Sequence, residues 1–238
     1  KEKEEADREL RELKREMEDI LREVEKELRE LLKKSEELLE EIERLSKELT
    51  DEAREVERNN LPEDELATEL LKVIKKILDV NRDVVRKHEE ILEDLERVLR
   101  EVVRKLLELI RKLLDVIRRR VDSEDLKRVE ELIREIEETI KKLLRELEKL
   151  IRKVKKRTRE LLKESEDLIR EVLDVIEKNK DLRELARKLL KRLKELNDRI
   201  LETLRRLNEE TARLVKEVLD TARRLLEELI RVLDETRT

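Results

Sequence analysis

Residues 6–56 read ADRELRELKREMEDILREVEKELRELLKKSEELLEEIERLSKELTDEAREV. The apolar positions fall at Ala6, Leu10, Leu13, Met17, Ile20, Val24, Leu28, Leu31, then Ser35, then Leu38, Ile42, Leu45, Leu49, Ala53 and Val56. Steps of four and three alternate, with an added four at Val24→Leu28 and at Leu49→Ala53. Fourteen steps cover 50 residues, a period of about 3.57, between the 3.5 of a supercoiled heptad and the 3.6 of a straight helix. One apolar stripe at this period, with charge on every other face, predicts an amphipathic helix that stays nearly straight.

The same period runs through the rest of the chain. In the second segment the doubled four-residue step at Val80→Val84→His88 recurs at Val98→Val102→Leu106. The recurrence distance is 18 residues, five turns of a straight helix. Three short interruptions separate the periodic segments. Asn59-Asn60-Leu61-Pro62-Glu63-Asp64 offers Asn for a left-handed helix end, Pro for a first turn and carboxylates for the positive end of the helix dipole. Val121-Asp122-Ser123-Glu124-Asp125 offers Asp122 or Ser123 as an N-cap. Lys178-Asn179-Lys180-Asp181 offers Asn179 as a terminator, and Asp181 with Glu184 as a capping box. Four helices are expected, over about 4–59, 63–120, 123–178 and 181–237, each roughly 85 Å long at 1.5 Å per residue. An alternative break at Thr50-Asp51 would spoil their equal length. Connections this short make successive helices antiparallel neighbours. The expected architecture is all-α: a single up-down-up-down four-helix bundle over residues 1–238, of high thermal stability.

Composition narrows the function. The 238 residues hold 62 Lys+Arg, 67 Asp+Glu, one His and one Pro, and no Gly, Cys, Phe, Tyr or Trp. Without cysteine there is no disulfide, thiolate zinc site or thiol nucleophile. Without glycine there is no phosphate-cradling loop, and without aromatics no base-stacking platform. A net charge of −5 with interleaved signs gives no cationic footprint for nucleic acid. No apolar run approaches the roughly 18 residues of a membrane span. Lys1–Leu10 is too charged for a secretion signal, and a start without Met is the pattern an expression tag leaves. The expected setting is soluble recombinant expression in a cytoplasm.

Polar residues on the apolar stripe are the candidate sites: Ser35, Asn81, His88, Thr158, Ser165, Asn197, Thr203, Thr211 and Thr221. Folding the chain at its three turns puts Ser35, His88, Thr158 and Thr203 at one height. Asn81, Ser165 and Asn197 share a second height with Ser46, and Thr139 and Thr221 a third. Buried polar groups need partners, so the expectation is two main hydrogen-bonded layers that set register, as a buried Asn does in coiled coils. Each Ser or Thr also has a local alternative, a bond to the carbonyl four residues back. His88 is the sole imidazole. Di-iron bundles repeat a Glu-x-x-His motif on two helices, and here Val85 stands three residues before His88. No metal, cofactor or catalytic residue is expected. A pH switch at a buried His88 is a further reading.

The matched helix lengths, idealised turns, Glu/Lys/Arg surfaces and aliphatic core with layered Ser, Asn, His and Thr resemble de novo designed helical bundles. The likeness is to those with buried hydrogen-bond networks: helical-hairpin heterodimers and cage-and-latch switches. The resemblance covers the whole chain as a style, without a motif. It implies self-assembly or partner pairing and no catalysis. With four helices in one chain and no latch linker, it points to a scaffold or assembly building block. The alternative is an interaction or switch component that exchanges a helix or hairpin with a partner. Helix one, with only Ala6 before Leu10, is the candidate for exchange. The apolar 98–117 stretch of helix two, from Val98 through Ile110, would be an interface if left uncovered. Lipid binding by amphipathic helices would call for interfacial aromatics and frequent breaks.

Overall fold

A computed structural model of the chain describes residues 2–120, 123–178 and 182–235, with some side chains of α3 and α4 outside the description. The described residues are helical apart from the turns: α1 Glu2–Arg58, α2 Glu63–Arg120, α3 Ser123–Glu177 and α4 Leu182–Glu235. α1 runs unbroken through Thr50-Asp51. The Thr50 hydroxyl donates to the Ser46 carbonyl at 2.8 Å, which absorbs its hydrogen-bonding capacity inside the helix. The first interruption is a turn in which Asn60 takes a left-handed φ of 47°, tolerated by Asn better than by most side chains. Asn59 N–H closes α1 on the Glu55 carbonyl, and the Pro62 carbonyl accepts the Leu66 N–H to open α2. Glu63, Asp64 and Glu65 then sit in the first turn of α2, against the positive end of its dipole. Residues 121–122 and 179–181 of the other two interruptions lie outside the described residues.

The chain divides into two compact units, each built from all of these helices. Unit 1 comprises Lys1–Leu32, Glu93–Ile151 and Glu210–Thr238, and unit 2 comprises Lys33–Leu92 and Arg152–Glu209.

Unit 1 has an aliphatic interior. Leu10, Leu13, Met17 and Leu21 of α1 pack with Leu106, Ile110, Leu113 and Ile117 of α2 and with Val129, Ile133, Ile136 and Ile140 of α3. Ile20, on the expected stripe, is only half-buried, and Leu21 takes the buried place beside it. A stripe read in steps of three and four cannot choose between neighbours when both are large and apolar. Across the surface, Arg100 meets Glu148 at 3.0 Å and Arg118 meets Glu130 at 3.2 Å. Eighteen residues forward along α2 match eighteen back along α3. The two helices are therefore antiparallel here, and each returns the same face to its neighbour after five turns, as straight helices do. Arg119 meets Glu9 of α1 at 2.7 Å, and Arg223 of α4 pairs with Glu25.

Unit 2 is built likewise. Leu38, Ile42 and Leu49 pack with Leu70, Ile74 and Ile77, with Leu161, Leu168 and Ile169, and with Ile200 and Leu204. Arg82 meets Glu166 at 3.0 Å, and seven residues on, Glu89 meets Arg159 at 2.8 Å. Lys76 reaches Glu52 at 3.2 Å, Arg192 reaches Glu171 at 3.6 Å, and Arg205 pairs with Glu43. Most of these cations are more than half exposed. Each pair contributes at most about 1 kcal/mol, so burial of the aliphatic side chains, at about 1.5–3 kcal/mol each, dominates.

In the 98–117 stretch Leu99, Leu106, Leu109, Ile110, Leu113, Val116 and Ile117 are buried, and Val98, Val102, Val103, Leu107 and Leu114 are half-buried. Among the described side chains Leu173 is the exposed large hydrophobic. Among the described residues no helix is long and apolar enough to cross a membrane.

Candidate functional site: the buried polar positions

Six polar side chains are buried among those described: Ser35, Asn81, His88, Thr158, Ser165 and Thr211. All but Thr211 belong to unit 2. They stand on the inward faces because the three-four step carries them there, each replacing an aliphatic residue of the stripe.

The first pair joins α2 to α3. Asn81 Nδ2 donates to Ser165 Oγ at 2.9 Å, with Ser165 wholly buried. A neutral bond of this kind adds about 1 kcal/mol, whereas stranding either partner costs about 1–3 kcal/mol. The second pair joins α1 to α4. Ser35 Oγ donates to Asn208 Oδ1 at 2.5 Å. Thr158 instead takes the local solution, donating to the carbonyls of Val154 and Lys155, both at 3.0 Å. Thr139 in unit 1 does the same toward the Glu135 carbonyl. Thr203 is half-buried, and its side chain bonds to no described residue. The side chain of Asn197 lies outside the description. Ser46 and Thr221 are half-buried.

Asn208 is not among the expected stripe positions. The height expectation puts Thr203 opposite Ser35, five residues from Asn208, the partner in the structure. The inward line of α4 passes through Ile200, Leu204, Asn208 and Thr211, in steps of four, four and three. That line was available in the sequence as a continuation of the apolar residues themselves. Thr203, which the stripe expectation includes, stands one position off this line beside the buried Leu204.

His88 is 2% exposed. Its Nδ1 has no hydrogen-bond partner among the described residues. Burial disfavours the imidazolium and pushes the pKa from 6.5 down to about 4, against a smaller opposing pull from the neighbouring Glu89 carboxylate. At neutral pH the ring is an uncharged core group. The other perturbed groups lie at the surface, Asp83 and Lys87 half-buried and Arg100 exposed. The Asp83 carboxyl is held down by its hydrogen bond from Lys87, whose ammonium is raised in return, and the Arg100 guanidinium is raised by its hydrogen bond to Glu148. These are helix-surface ion pairs and do not converge on His88. Among the described residues no group of three or more His, Asp or Glu is placed to hold a metal ion.

A surface groove of about 720 Å³ beside the α1–α2 turn is lined by carboxylates including Glu55, Asp64 and Glu65. Its two lysines, Lys72 and Lys76, are already paired with Glu69 and Glu52. Comparison with protein-family models, with curated proteins and with solved structures finds no match.

Proposed function

We propose that the chain is a de novo designed scaffold or assembly building block, a single-chain up-down-up-down four-helix bundle. Its buried polar pairs specify which helices meet and in what register. The observation that carries this reading is the pairing of Asn81 with Ser165 and of Ser35 with Asn208, each between different helices, inside an aliphatic core. A buried amide or hydroxyl stabilises less than the leucine it displaces, but it penalises every register in which it lacks a partner. The antiparallel ion pairs within each unit support the same arrangement, and glycine-free helices of near-equal length support the designed origin. No catalytic role and no cofactor belong to this reading.

Light scattering after size exclusion, over a wide concentration range and with refractive-index detection, tests it. A constant mass of 29.0 kDa is expected. A mass that grows with concentration, or exchange between differently labelled chains at neutral pH, would overturn the single-chain reading and favour a component that trades a helix or hairpin with a partner.

A further inference from the structure

Unit 2 carries a second groove, about 350 Å³, between α1 and α4. That is within the range of small-molecule sites, roughly 300–1,000 Å³. It opens where α1 presents Ser46, Thr50 and Ala53 in half-buried places. Of these, Ala53 stands on the apolar stripe, between Leu49 and Val56, and its small side chain fills less of the floor than a leucine would. Leu49, Ala53 and Ile77 of α2 supply apolar lining, and Leu49 and Ile77 are buried.

The rim has the opposite character. Arg54, Arg187, Lys191 and Lys194 line it, against two carboxylates, Glu57 and Asp198. All four cations are exposed, and none is ion-paired with a described residue. Elsewhere in unit 2, Arg82, Arg159 and Arg192 each meet a carboxylate of a neighbouring helix. An apolar floor under a rim with four described cations and two described carboxylates complements a molecule with an alkyl body and one anionic head.

We propose that the α1–α4 groove of unit 2 binds one amphipathic anion, a medium-chain alkyl carboxylate, with its chain along Leu49, Ala53 and Ile77 and its head against Arg187 and Lys191. The site is independent of the buried polar pairs. Burial of methylenes supplies the affinity, and the exposed cations add orientation and a dependence on salt.

Isothermal titration of the full chain with decanoate below its micelle concentration tests this. Saturable binding of one decanoate per chain is expected, weakening with added salt and competed at least about tenfold less well by decyltrimethylammonium than by octanesulfonate. The double reversal Arg187→Glu with Lys191→Glu should weaken binding at least about tenfold, near 1.4 kcal/mol, and Glu57→Lys should strengthen it. Ala53→Leu, which fills the groove from its floor, should abolish binding while helicity and melting stay unchanged. Should that variant melt early, Ser46→Leu fills the same groove from a neighbouring turn. Absent saturable heat, several decanoates per chain, or binding indifferent to both the filling and the charge-reversed variants would overturn the proposal.

Discussion

Acid should weaken this protein at its one histidine. The neutral His88 ring is compatible with its buried place and the imidazolium is not, so its pKa falls from 6.5 in the unfolded chain to about 4 in the folded one. Between these values the unfolded chain binds the proton and the folded chain refuses it, so stability rises with pH. The contribution is fully present above pH 6.5 and is lost as pH falls to about 4. A gap of about two and a half units at 1.36 kcal/mol each amounts to about 3 kcal/mol. The assay is guanidinium unfolding followed by far-ultraviolet circular dichroism from pH 8 to pH 3.5, on the parent and on His88→Leu. Every other group is common to both chains, so the difference between the two isolates the imidazole. His88→Leu should match or exceed the parent by about 1 kcal/mol at pH 8, since it removes a buried ring nitrogen. Its advantage should grow by about 3 kcal/mol at pH 4. Because the chain has one histidine, its Hε1 resonance gives the folded-state pKa directly. A midpoint at 6 or above, or parallel pH profiles for the two chains, would refute the reasoning.

Three further perturbations separate the remaining contributions. Asn81→Ala strands the wholly buried Ser165 hydroxyl and should cost about 1–3 kcal/mol in denaturant unfolding, whereas Asn81→Leu with Ser165→Ala should fall within about 1 kcal/mol of the parent. Leu161→Ala, at a position with no exposure, should lower stability by about 2–5 kcal/mol; a loss below 1 kcal/mol would mean the interior is not close-packed there. Asn60→Val places a β-branched residue at a left-handed φ and should cost about 1–2 kcal/mol, while Asn60→Gly should be neutral or slightly stabilising.

The all-helical fold is legible in the chain because one period governs it and nothing competes: no glycine, no aromatic and a single proline interrupt the pattern. The Asn60 turn is equally legible, since few residues accept its backbone geometry. Which residues are inward is readable to within one position, and the Ile20–Leu21 choice shows the limit. Between helices the reading weakens. The sequence places Ser35 and Thr158 on inward faces, but whether a hydroxyl reaches across or bonds its own helix depends on a partner standing within about 3 Å. Ser35 has Asn208 at that distance. Thr158 takes its own carbonyls. An error of one turn in register, invisible to a pattern that repeats every turn, exchanges one outcome for the other.

On the proposed reading, the buried polar groups described in unit 2 divide labour within the fold. The interior of unit 1, where Thr211 is the buried polar side chain described, supplies mainly cohesion: leucine and isoleucine adhere about as well after a slip of seven residues as before it, so the cluster holds the helices together while saying little about where each belongs. Unit 2 gives up some of that cohesion for an address, since Asn81 and Ser35 each accept few counterparts. Grafting the unit 2 polar pairs onto unrelated aliphatic helices should therefore transfer a preferred alignment, whereas grafting the unit 1 interior should transfer only adhesion.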